Sequence, residues 1–246
     1  MTDAYGSLPR LPSDHRGEAG WLSVDHPDTF RHHLEIIRSA GVPVVDPADG
    51  SLSGDSVSGV VLTFDDATID HFDTARPILS EFDAPGLFYV PTARVGSEGH
   101  LSVEQVTALH REGHTIGSHS HTHSRLDRLP TLSVHHELHE SRRRLREILG
   151  VDALHFAPPG GLYGAEVSAV AQEVGFRFFR TMMWGLNPQL DPHEIHVVPM
   201  VRPSGTLFLR WALNGRNERV LRVMYELKRT LRGGLAARGN RSRTRD

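Results

Sequence analysis

Two clusters in this 246-residue chain have side-chain types and spacings that could do chemistry. The first is Asp65-Asp66, placed where the apolar run Val60-Val61-Leu62-Thr63-Phe64 stops. Adjacent carboxylates at the end of a buried strand repel each other and resist desolvation, so the pair calls for a compensating cation. The second is His119-Ser120-His121-Thr122-His123. Imidazoles four residues apart share one side of a helical turn and can hold one metal, while His121 between them points elsewhere. One aspartate with two histidines makes a three-ligand site with positions left for water and substrate, the pattern of a catalytic ion. Such an ion acidifies water and polarises a carbonyl. The other aspartate is then free to act as general base.

Composition narrows the metal and the partners. Cysteine is absent, which excludes disulfides and thiolate ligands. His and Asp ligands point to a divalent ion, zinc first, with cobalt, nickel or manganese as the other choices. Residues 216–246 hold ten Lys/Arg against three Asp/Glu, a local charge of +7; the overall net charge is −3, so residues 1–215 carry −10. An acidic body argues against a nucleic-acid-binding core, and the basic end is suited to anionic lipid or an acidic partner. The first residues lack a basic segment followed by an apolar one, and no apolar stretch reaches bilayer length. The expected location is the cytoplasm, with peripheral membrane contact through the basic end as the alternative.

Elements that could position these clusters alternate along the chain. Residues 1–20 read as a flexible leader, 21–215 as one domain, and 216–246 as an amphipathic helix with a basic tail. Strand signals at 42–45, 60–64, 86–90, 115–116, 154–157, 176–179 and 195–198 alternate with helix signals at 27–40, 69–81, 103–111, 134–149 and 165–174. This βαβα order predicts a parallel sheet covered by helices, either doubly wound or closed into a barrel. Asp65-Asp66, His119–His123 and Pro158-Pro159-Gly160-Gly161 each follow a strand, and in a (β/α) barrel such strand ends gather on one face. Other features read as structural. His71, His110, His114, His135, His136 and His139 fall on solvated helix faces, with His71 nearest the mouth. Arg142-Arg143-Arg144 with Glu137 and Glu140 reads as an exposed ion-paired face. A helix over 218–232 carries Val220, Met224, Leu227 and Leu231 as a stripe that would dock on the domain.

At these residues the chain resembles the polysaccharide deacetylases of carbohydrate esterase family 4, the NodB-homology domain, over roughly residues 60–201, and in particular their short exopolysaccharide-type members. Thr63-Phe64-Asp65-Asp66 matches the first motif, His119–His123 the second, and Phe156-Ala157-Pro158-Pro159-Gly160-Gly161 the third. The resemblance implies a distorted (β/α) barrel of about seven strands that hydrolyses N-acetyl, sometimes O-acetyl, groups of a carbohydrate or glycan precursor. It implies that Asp66, His119 and His123 are metal ligands and that Asp65 is the general base. It gives the oxyanion-binding N–H to Gly160, since proline has no donor.

Four departures stand out. Ala67 replaces the usual glycine after the Asp pair, at a position that wants positive φ. Ala157 stands where many members carry an arginine that tunes the base. Gly160 replaces an aromatic wall of the sugar pocket. The late motif that supplies a general-acid histidine is not recognisable, leaving His196, and behind it His193, for that role. Pro159 and Trp184 are candidate substrate contacts, Trp184 by stacking on a sugar face. Two other readings remain open: a hydrolase of a non-sugar amide or cyclic imide, and a binding or regulatory homologue with weak catalysis.

Overall fold

A computed structural model describes residues 27–48, 59–200, 206–214, 219–227 and 230; the expected leader at 1–20 lies outside them. Six parallel strands follow one another in chain order: β1 (Thr63–Phe64), β2 (Leu87–Val90), β3 (Thr115–Ser118), β4 (His155–Phe156), β5 (Phe178–Trp184) and β6 (Ile195–Val197). A parallel bridge between Val44 and Val60 extends the β1 edge by one more extended segment. The sheet curls into a half-barrel of the expected (β/α) kind. Around it lie α1 (Pro27–Ser39), α2 (Arg76–Glu81), α3 (Val103–Arg111), α4 (Thr131–Leu149), α5 (Ala165–Val174) and α6 (Thr206–Leu213).

Burial on both faces explains the strand composition. All four residues of β2 are buried, as a parallel strand with helices outside and a packed interior requires. One core sits between β1–β3 and α3, built on Phe64, Phe88, Val90, Val106, Leu109 and Ile116. A second joins Phe156 and Phe179 to Leu138 of α4 and Val167 and Val170 of α5. Helix ends are specified locally. At α3 the Ser102 hydroxyl accepts the Gln105 N–H at 3.2 Å while the Gln105 side chain accepts the Ser102 N–H at 2.8 Å, a reciprocal cap of two otherwise orphan donors. Both α4 and α5 stop at glycines in the left-handed region, Gly150 (φ 75°) and Gly175 (φ 101°).

Several expectations need correction. The helix expected over 69–81 begins as a π-turn, His71–Ala75, before α2. His71 and His114 are buried, 5% and 8% exposed, not solvated; both rings lie against Phe88, and His114 Nδ1 accepts the Gly86 N–H at 3.1 Å. Strand β5 runs five residues beyond Phe179, so Trp184 ends a strand instead of following one. In the helix over 219–227 the buried residue is Leu221, whereas Val220, Met224 and Leu227 face outward. Leu231 lies outside the described residues.

Candidate metal and catalytic site

Asp65 and Asp66 leave β1 at the C-terminal rim of the sheet. The chain turns sharply there because Asp66 and Ala67 adopt φ values of 79° and 53°. Two successive L-residues in the left-handed region are strained, and the turn is held from outside: Leu101 N–H donates to Ala67 O, and Ile69 N–H to Gly99 O, both at 2.9 Å. The Ala67 methyl is buried in the core cluster under β1. The departure from glycine at this position therefore occupies the positive-φ conformation it was expected to resist.

The two histidines are not on a helical turn. Residues 119–124 form a loop after β3, with Ser120 (φ 62°) and His123 (φ 65°) also left-handed. Buried Glu137 of α4 holds this loop: its Oε2 accepts the N–H groups of His121 (3.0 Å) and Thr122 (2.8 Å), and its Oε1 accepts the Thr122 hydroxyl (2.7 Å). Glu137 therefore belongs to the inner face of α4, not to the ion-paired outer face, where Arg143 does meet Glu140 and Glu147. Its spacing with Val134, Leu138, Ser141 and Leu145, all buried, is the signal that marks it. The Ser120 hydroxyl accepts the His123 N–H at 3.1 Å and completes the turn. His121 points away, its Nδ1 2.8 Å from the Thr92 hydroxyl.

This loop brings His119 Nε2 to 3.3 Å and His123 Nε2 to 2.8 Å from Asp66 Oδ1. The three ligand atoms lie within 4.8 Å of one another. Asp66 Oδ1 is buried, yet no hydrogen bond of acceptable geometry reaches it. A buried carboxylate oxygen facing two imidazole nitrogens off the hydrogen-bonding line is an arrangement a divalent cation would satisfy. His119 is set for that role, since its Nδ1–H donates to Ala157 O at 2.7 Å and leaves the Nε2 lone pair toward Asp66. His123 Nδ1 lies 3.1 Å from Arg94 Nη2. An ion on Nε2 requires a proton on Nδ1, so half-buried Arg94 has to release that contact on binding.

Charge in the cluster is finely opposed. Burial would raise the Asp66 carboxyl, but the neighbouring His119 and His123 hold it well below the usual carboxylate range. Burial would lower His119, but Asp66 and Asp65 raise it; at His123 burial prevails and lowers it.

Asp65 has a partner that reading the sequence missed. The guanidinium of Arg180, on β5 and only 3% exposed, donates from Nη2 to Asp65 Oδ1. Its Nη1 reaches Met182 Sδ at 2.8 Å, and it lies 4.8 Å from the Tyr89 ring centre. Burial disfavours the charged guanidinium, but Asp65 and Tyr89 more than offset it. An arginine thus reaches Asp65 from β5, whereas the position just after β4 is Ala157. The available signal was a charge inside the apolar run Phe178-Phe179-Arg180-Thr181-Met182-Met183-Trp184.

Pro159–Gly161 forms a single 3₁₀ turn after β4, in which Pro159 is buried and Gly160 exposed at φ 64°. The next two N–H groups are committed, Gly161 to Pro158 O and Leu162 to Pro159 O. A side chain at Gly161 would collide with Met182, whose Cγ lies 2.0 Å from an added Cβ. Trp184 is half-buried at the end of β5, in register with Val197. His196 keeps different company: its Nε2 is 3.2 Å from Glu194, its ring lies against Gly185, and its backbone pairs with the Asn187 side chain. Its cleft is lined by residues 186–189, Asp191, Glu194 and Arg222, none of which belongs to the Asp66–His119–His123 cluster.

Several known proteins are similar to this chain in sequence or fold. A chitooligosaccharide deacetylase of Bradyrhizobium sp. (strain ANU 289) is 27% identical over 173 residues, 65% of this chain and 73% of that protein. YxkH of Bacillus subtilis (strain 168) is 24% identical over 153 residues, 60% of this chain and 55% of its own length; the chain spans about half of that relative or less of another. The solved structure of IcaB from Ammonifex degensii superposes with a TM-score of 0.70 at 25% identity, over 78% of this chain and 92% of that one. The family model described as polysaccharide deacetylase matches residues 54–179, which include β1 through Phe179 and hold Asp65, Asp66, His119, His123 and Gly160, while Arg180 lies one residue beyond. The chain belongs to the polysaccharide deacetylase family.

Proposed function

We propose that this protein is a divalent-metal-dependent hydrolase that removes acetyl groups, N-linked before O-linked, from a carbohydrate or glycan precursor. The observation that carries the reading is the convergence of Asp66, His119 and His123 beside an aspartate clamped by a buried arginine. The family and the relative named chitooligosaccharide deacetylase support the substrate class.

Asp66, His119 and His123 would hold the ion, zinc being the first choice for this donor set. Once bound, it supplies Lewis acidity, lowering the pKa of water and polarising the acetyl carbonyl. The remaining work falls to the chain. Arg180 occupies Asp65 Oδ1, so Oδ2 takes the proton from the attacking water. The exposed Gly160 N–H donates to the oxyanion of the tetrahedral intermediate. The C–N bond then breaks, and the proton held by Asp65 passes to the leaving nitrogen, releasing acetate and an amine. His196 is not assigned the proton-donor role, because its contacts lie elsewhere. Pro159 supports the turn from beneath, and Trp184 is the candidate for stacking on a sugar ring.

The test follows acetate release from N-acetylglucosamine oligomers by the metal-stripped and zinc-reloaded protein, with small amides and a cyclic imide as competitors. Activity restored by zinc and absent in Asp66→Ala is expected. A protein that binds no divalent ion, with an Asp66→Ala variant unchanged in activity and stability, would overturn the enzyme reading. Hydrolysis of the imide but of no acetylated sugar would overturn the substrate class.

A further inference from the structure

The helical segment over 219–227 is seated by Leu221, which is fully buried, and turns four apolar side chains outward. Val220, Val223, Met224 and Leu227 are 48%, 58%, 39% and 60% exposed, and Leu207 of α6 is 83% exposed. An amphipathic helix normally buries its apolar stripe, so a stripe left in water at spacings of three and four residues marks a surface meant to be covered. The segment itself carries exposed Arg219 and Arg222 against one exposed acid, Glu226, and residues 216–246 carry +7 on a chain whose other 215 residues carry −10.

We propose that this face docks on an anionic lipid bilayer, with the stripe in the headgroup–acyl boundary and the arginines on lipid phosphates. The complement it needs is apolar at depth and negative at the rim, which is the chemistry of such a bilayer. Charge polarity supplies a second argument. The acidic body is repelled by the same surface that attracts the basic end, so the chain meets the membrane in one orientation. No helix among the described residues is long and apolar enough to cross a membrane, so the contact is interfacial. The inference stands independently of the substrate assigned above.

Co-sedimentation of the full chain with phosphatidylcholine vesicles, with and without one-third phosphatidylglycerol, reads it directly. Binding to the anionic vesicles, weakened by salt, is expected, as is at least a tenfold loss in partitioning for Val223→Asp or Leu227→Asp. Both side chains are exposed, and circular dichroism with unfolding midpoints checks that the variants stay folded. Equal partitioning to neutral and anionic vesicles would overturn the proposal. So would unchanged binding by both variants, since the tail charge alone would then suffice. A concentration-dependent dimer in sedimentation velocity, abolished by Val223→Asp, would assign the stripe to a second copy of the chain and overturn it equally.

Discussion

Removing Asp65 and removing Arg180 have unequal consequences, because the two partners are unequally buried. Arg180 is 3% exposed, whereas the Asp65 side chain is 33% exposed. In Asp65→Ala a guanidinium is left in the interior facing a methionine sulfur and the Tyr89 ring; an uncompensated buried charge of this kind costs about 3–5 kcal/mol. In Arg180→Met the orphan is a carboxylate at the rim that water can reach, and the desolvation of the guanidinium disappears with it. That change is expected to cost less than about 2 kcal/mol. The double variant has no orphan charge and is expected to regain most of what Asp65→Ala loses, giving a coupling on the order of 2–3 kcal/mol. Activity follows another order. Arg180→Met keeps the base but loosens its aim, for a loss of about 10²-fold in kcat/KM, while both aspartate variants fall to background. Urea unfolding of the metal-free proteins, read beside acetate release, separates the two effects. If Asp65→Ala is no less stable than Arg180→Met, or the double variant is no more stable than Asp65→Ala, the pair is not the buried clamp described here.

Two further outcomes follow from named contacts. Glu137→Ala strips three hydrogen bonds from the 121–122 turn and leaves two backbone N–H groups without their acceptor; it should cost about 2–4 kcal/mol and weaken zinc binding, with Glu137→Gln closer to 1. Unchanged calorimetric zinc affinity in Glu137→Ala would refute the loop's dependence on α4. Burial lowers His114 below its ordinary 6.5, so its contribution to stability is present above about pH 6.5 and is lost as pH falls through the depressed folded value. The urea midpoint of the wild type should therefore drop more steeply than that of His114→Gln between pH 7.5 and 5.5, and parallel curves would show that His114 is not the group responsible.

The parts of the site legible in the sequence were those where charge interrupts an apolar pattern at a strand end. Asp65-Asp66 and the His119/His123 pair stood out for this reason, and the βαβ alternation around them gave the sheet. Arg180 is a charge inside an apolar run and not at its end, and it is hidden because the aromatic run that marks β5 in the sequence stops at Phe179. Glu137 was hidden by its neighbours: among Glu140 and three arginines a carboxylate looks solvated, and only helical phase shows that it faces inward. The histidine spacing put His119 and His123 side by side through the wrong geometry, since left-handed φ at Ser120 and His123 is set by tertiary hydrogen bonds and not by local propensity. His114 and His71 look polar in a list of residues, yet an imidazole beside aromatic rings packs as a core side chain.

The Asp65–Arg180 contact joins residues 115 apart, one just after β1 and the other on β5, strands that are not neighbours in the sheet because every pairing joins consecutive strands. It therefore spans the hollow of the half-barrel. Neighbouring strands can zip together through short loops, whereas this contact is rewarded only after a long segment has closed. It is expected to close late in folding. Weakening it should then speed unfolding more than it slows folding, and equal changes in both rates for Arg180→Met would refute that order. On that expectation, the arginine that clamps Asp65 also helps to set how long the folded chain lasts.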